Sequence, residues 1–210
     1  MTGVVSRPND AHMNYGETLS YWYLRLNGFF PLKNFVMHMP RAQHSDCDIL
    51  AVRFPGVSED VGGQADDWDK PRFERWRVSL DAPIVLVVQV KTGTARRPGK
   101  AFQVQRLQYA IRRVGLWDRA SAEQLAERLV GEAFVPDERA TVAKLLIASQ
   151  PAEDRTYLSM KLDEAVEFIE GRFRRYAPAK GGGRLFFNDE LIQFFGHQAG
   201  LRQVADDEED

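Results

Sequence analysis

A chain of 210 residues, 44% apolar and with a net charge of −2, is long enough for one domain with an ordinary core and too short for an array of domains. A lone cysteine, Cys47, excludes an intramolecular disulfide, and the polar stretch Met1 to Asn14 shows no signal-peptide pattern. The longest apolar run, 82–88, is far too short to span a bilayer, so a soluble, cytoplasmic protein with no membrane partner is expected.

Residues 1–14 read as disordered. From 16 to 28, Leu19, Trp22, Tyr23 and Leu26 recur at helical spacing, which predicts an amphipathic helix ended by Asn27-Gly28. Glu17 falls in its first turn, where a carboxylate complements the helix dipole. Phe35 to Met39 and Asp46 to Phe54 read as strands. The polar stretch 55–82 reads as an insertion, and its acidic run 66–69 as a solvated loop, because the ligand spacing of a calcium loop is missing. Trp68, Phe73 and Trp76 nevertheless imply that the insertion packs on something.

A third strand is expected over 83–91, then a linker from Thr92 to Gly99 and a helix from Lys100 to Val114. Gly93 to Lys100 is not a phosphate loop: the glycine spacing is wrong, and Ala101 stands where a hydroxyl should hold magnesium. Ser121-Ala122-Glu123-Gln124 reads as a capping box that opens a short helix to Val130. Thr141 to Ala148 reads as a fourth strand. Leu162 to Tyr176 reads as a helix with Ala165, Phe168, Ile169 and Phe173 inward. Asn188 can cap a last short helix through Phe195, with Phe186, Phe187, Phe194 and Phe195 as core, and the acidic tail 201–210 should be disordered. This order predicts one α/β domain over 15–200, a mixed central β-sheet flanked by helices.

Two of these strands carry polar residues where apolar ones are expected. Side chains alternate along a strand, so Asp46 and Asp48 share one face, and Gln89 and Lys91 share another. A run as apolar as 84–88 belongs to a strand buried on both faces. Ending it with an acceptor and a cation makes sense if both look into a common site. An aspartate, an acceptor and a lysine on adjacent strands can hold a divalent metal and activate a water.

That pattern resembles the PD-(D/E)xK nuclease superfamily. Asp48 opens the apolar Ile49-Leu50-Ala51-Val52, and Gln89-Val90-Lys91 fills the (D/E)xK slot. Mrr-like members of the family also show QxK. Asp46 matches an acidic residue often found two positions before the aspartate, and Glu17 matches the glutamate often supplied by an upstream helix. Glutamine replaces the usual acid, no proline precedes Asp48, and the long spacing to Lys91 requires an insertion. The resemblance implies a restriction-endonuclease-like core and a Mg2+- or Mn2+-dependent endodeoxyribonuclease acting in restriction, defence or repair. It implies that Asp48 is the principal metal ligand, joined by the side-chain carbonyl of Gln89 and the backbone carbonyl of Val90. Lys91 would orient the attacking water or stabilise developing charge. Glu17 would hold an outer water or a second metal, and Asp46 is an auxiliary ligand.

Charge distribution points the same way. Between Lys91 and Arg119 there are eight basic residues against one acidic, Asp118, while the last five residues of the chain are all acidic. Arg96, Arg97, Lys100, Arg106, Arg112 and Arg113 are therefore candidate contacts to DNA phosphates, although a solvated basic helix has the same signature. His44, Asp46 and Asp48 alternate and could share a face for zinc or manganese, but a loop histidine accounts for His44 as well. His12, His38 and His197 show no partner in the sequence, and no serine–histidine pair suggests covalent catalysis. Two other readings stay open: a catalytically inactive nuclease-like module that binds nucleic acid, and a protein-interaction module. A homodimer or a partner protein is compatible with each.

Overall fold

Apolar runs in the central strands and helical spacing between the strands produce a three-layer arrangement. The computed structural model describes residues 15–37, 45–57, 67–176 and 189–207. Expectations for residues 1–14, His38, His44, Phe186, Phe187, Asn188 and 208–210 fall outside the described residues. The elements run α1 (Tyr15–Leu26), β1 (Phe30–Met37), β2 (Ser45–Arg53), α2 (Lys70–Arg75), β3 (Ile84–Lys91), α3 (Val104–Val114) and α4 (Arg119–Gly131). They continue as β4 (Phe134–Pro136), β5 (Thr141–Ala148), β6 (Leu158–Lys161), α5 (Leu162–Arg175) and α6 (Glu190–Asp207). No helix among the described residues is long and apolar enough to cross a membrane.

The sheet is mixed, as expected for the α/β class. Its order is β1-β2-β3-β5-β4, with β6 also beside β5. β1, β2 and β3 form an antiparallel meander, whereas β3 pairs parallel with β5. Alternation sends Ile84, Leu86, Val88 and Val90 to one face of β3, where they pack with residues of α1, α2, α5 and α6. Val85 and Val87 go to the other, under α3 and α4. The helical layers on both faces are why β3 and β5 are almost wholly apolar.

The turn from α1 to β1 needs a glycine. Gly28 has φ of +77°, and a Cβ there would meet the Val57 carbonyl oxygen at 3.1 Å. This tight reversal sends α1 back along β1, so the first turn of α1 lies toward the end of the sheet where β2 begins.

As Trp68, Phe73 and Trp76 imply, the insertion 55–82 packs on the core: it contains α2, whose Phe73 is completely buried, with Trp68 and Trp76 against the same cluster. Other expectations are corrected. Asp67 is not in a solvated loop. Its carboxylate pairs with Arg175, and with Arg172 at 3.5 Å, while its carbonyl accepts from Arg172; the side chains of Asp67 and Arg172 are 4% and 3% exposed. Asp69 accepts from the Tyr23 hydroxyl at 2.8 Å and pairs with Arg72. The insertion is thus fastened to α1 and α5, which shields Asp67 and Asp69 from solvent and pairs them.

α4 begins earlier than its presumed capping box. Asp118, with extended backbone, is the N-cap and accepts the Ser121 amide at 2.8 Å. The last helix is longer than expected: it continues to Asp207, so the tail is helical over 201–207. Its cap is Asp189, which accepts the amides of Leu191 and Ile192. Phe195 is buried as expected, but Phe194 is half exposed and outside the core.

Candidate active site

The sheet opens at one place. β2 pairs with both neighbours through Ile49 to Val52, but over Ser45 to Cys47 it pairs with β1 alone. β3 meanwhile stays paired with β5 as far as Lys91. Asp48 stands where the two strands part, opposite Gln89 in the continued register.

The side chain of Asp48 bridges this gap. Its Oδ2 accepts the Val90 amide at 2.6 Å and the Nε2–H of Gln89. A carboxylate oxygen here takes the place of the backbone carbonyl that the departing strand no longer offers. Cys47, buried beside it, donates its thiol to the carbonyls of Ile49 and Val88 at 3.2 and 3.6 Å.

Gln89 is 5% exposed and spends its amide N–H on Asp48, while its carbonyl oxygen accepts no hydrogen bond among the described residues. Two residues on, the side chain of Lys91 lies on the same face, half-buried, and its ammonium forms no ion pair among the described residues. One carboxylate, one open amide carbonyl and one cation therefore meet at the carboxyl end of β3, outside which α/β sheets commonly bind ligands.

The other candidates are placed less closely. Glu17 stands in α1, in the helical layer opposite α3, where its charge and that of Asp189 favour the ammonium of Lys33. Burial acts against that ammonium and lowers its pKa overall. The Asp46 backbone bridges Val36, and its side chain is outside the described residues. His197 is exposed on α6. Among the described residues no three His, Cys, Asp or Glu side chains cluster as a metal centre.

The basic candidates divide into two sets. The Arg96 guanidinium donates to the Gln150 carbonyl at 3.2 Å, and its own carbonyl accepts the Ala152 amide at 2.8 Å. Arg97 acts electrostatically on Asp154 and Tyr157. Arg96 thus ties the loop after β3 to the loop after β5. Lys100, Arg112 and Arg113 are exposed and Arg106 is half-buried.

No family model, curated protein or solved structure matches the chain. The site's meaning therefore rests on its own geometry.

A buried lysine also escaped the sequence reading. Lys144 of β5 is 1% exposed, donates to the Val130 carbonyl at the end of α4, and lies 5.7 Å from the Phe102 ring centroid. The signal was there: strand alternation puts Lys144 on the face shared by the buried Val142 and Leu146.

Burial lowers the Lys144 pKa from its ordinary 10.5 to about 8, with Asp154 opposing the shift. Between those values the unfolded chain binds the proton that the folded protein has shed. Stability from this group therefore rises with pH across that window. Lys144→Met should remove about 3 kcal/mol of that rise. Urea unfolding of both proteins near either end of the window checks it, and parallel pH profiles would refute it.

Proposed function

We propose that this protein is a divalent-metal-dependent nuclease hydrolysing DNA phosphodiester bonds on a restriction-endonuclease-like core. The observation that carries the reading is the Asp48 bridge to Gln89 and Val90 at the parting of β2 and β3, with the Lys91 ammonium on the same face. The element order supports it. A helix, a three-strand antiparallel meander, a helical crossover and a strand parallel to the third follow the order expected from the QxK resemblance.

The donors suit magnesium or manganese, which prefer oxygen ligands. The Asp48 carboxylate and the open Gln89 carbonyl would hold the ion, with the Val90 carbonyl as a further donor. A bound ion would supply Lewis acidity and a water of lowered pKa. The Lys91 ammonium would lie beside the phosphate, where negative charge grows in the transition state. Glu17, at the same end of the sheet, is assigned an outer water or a second ion, and Asp46 an auxiliary ligand.

Cleavage of supercoiled and linear DNA with Mg2+ and then Mn2+ tests the reading. Wild type should cut only with metal. Lys91→Ala should lose roughly 10²–10³-fold in rate while melting like the wild type, and Asp48→Ala should lose at least as much. Cutting that survives both replacements would refute the site.

One observation favours a second reading, an inactive nucleic-acid-binding or protein-interaction module. Gln89 already donates to Asp48, so that carboxylate is satisfied by protein donors alone. DNA binding without cutting under either metal would select the binding module.

A further inference from the structure

Four surface cations on the other helices are neutralised by a neighbour one turn away, although among the described residues the exposed Arg75 of α2 is not. Lys70 pairs with Glu74, Arg119 with Glu123, Arg128 with Glu132, and Arg174 with Glu170. α3 differs. Its sequence, VQRLQYAIRRV, contains three arginines and no acid, and no acidic residue occurs anywhere from Ala82 to Trp117. Among the described residues Arg106, Arg112 and Arg113 form no ion pair.

The face these arginines occupy is fixed by packing. Leu107, Ala110 and Ile111 are buried against the sheet, so Gln105, Arg106, Arg112 and Arg113 are turned from it, with the half-buried Tyr109 between them. Arg106 and Arg113 are seven residues apart, about 10 Å along the axis. The helix lies on the face that carries Gln89 and Lys91, and it follows them in the chain after the linker 92–103. Three unneutralised, permanently charged, fork-shaped donors along a rigid helix match a regular row of phosphates. A single strand would need aromatic platforms for its bases, and α3 offers only the half-buried Tyr109.

We propose that the outer face of α3 is the docking surface for the phosphate backbone of duplex DNA, carried by Arg106, Arg112 and Arg113. Arg96 instead ties the neighbouring loops together. The assignment rests on the nuclease reading for its choice of polyanion and narrows the basic candidates to one helix.

Binding of a short fluorescein-labelled duplex, and of its single strand, is measured by anisotropy in EDTA over a salt series. EDTA keeps chemistry out of the measurement. The duplex should bind more tightly than the single strand. Arg112→Ala/Arg113→Ala should bind the duplex at least tenfold more weakly at low salt, and the slope of log affinity against log salt should fall by about two. Arg96→Ala should leave that slope unchanged. Equal loss from Arg96→Ala, an unaffected double variant, a preference for the single strand, or no duplex binding would each overturn the proposal. Metal-dependent cutting that persists in the double variant would sink this surface and leave the nuclease reading standing. Arginine-dependent binding without cutting would do the reverse.

Discussion

Asp67→Ala should lower stability by about 3–5 kcal/mol, a drop in melting temperature on the order of 10 °C for a chain of this size. The replacement leaves the Arg172 guanidinium in place with its side chain 3% exposed, held by the carbonyls of Leu26 and residue 67 but without the carboxylate it faces. A buried cation stripped of its counter-charge costs far more than the pair contributes when intact. The exposed Arg175, which shares Asp67, should matter much less: Arg175→Ala belongs with surface pairs, at about 1 kcal/mol or below. A second variant separates the causes. Arg172→Met in the Asp67→Ala background removes the stranded charge and keeps the bulk, so it should recover part of the loss. Urea unfolding of the wild type, the Asp67 variant and the double variant reads both effects. An Asp67→Ala protein as stable as wild type would show that the insertion is not fastened to α5 through this pair.

Gln89→Glu should turn a site that is stable without metal into one that depends on it. The wild-type amide gives a proton to Asp48 and adds no charge. A glutamate there would set a second carboxylate against the first in a nearly closed position, costing on the order of 2–3 kcal/mol or forcing the pair to share a proton. Melting temperature in EDTA should therefore fall. Millimolar Mg2+ or Mn2+ should restore it in the variant and move the wild type much less, because binding to the folded state alone stabilises it. A variant whose melting ignores both metals would exclude Gln89 and Asp48 as neighbours in an ion site. Because the readout is melting, it holds even if the protein never cuts DNA.

The contrast between these two sites explains what the sequence can disclose. Asp48, Gln89 and Lys91 were visible as polar residues in otherwise apolar strands, since strand alternation and the order of elements are local properties. So were α1, β3, β5 and α5, whose apolar spacing is nearly unbroken. Asp67 was not visible. Its counter-ion, Arg172, lies 105 residues away, and nothing near Asp67 distinguishes a buried acid from a solvated one. α2 has only six residues, with a proline at its start and mostly charged side chains, too few for a period to show. β4 is three residues long and ends in Pro136, and β6 runs straight into α5, so both exist through pairing with β5 rather than through their own pattern. The α4 cap was misplaced because Asp118 and Ser121 are both good caps, and only backbone geometry chooses between them.

The parallel pairing of β3 with β5 has a consequence for how the chain reaches this state. The β1–β2 hairpin joins near neighbours in sequence, and β3 closes onto it across the stretch that holds α2, a shorter loop than the one to β5. β5 can join β3 only after the whole α3–α4 segment has been looped over, and β4 and β6 have no ladder until β5 is seated. Long-range pairing of this kind slows folding, because the entropy is lost before the contacts return it. The meander with its helix is thus the natural nucleus, and arrival of β5 the late step. Core replacements in β5 should accordingly speed unfolding more than they slow folding.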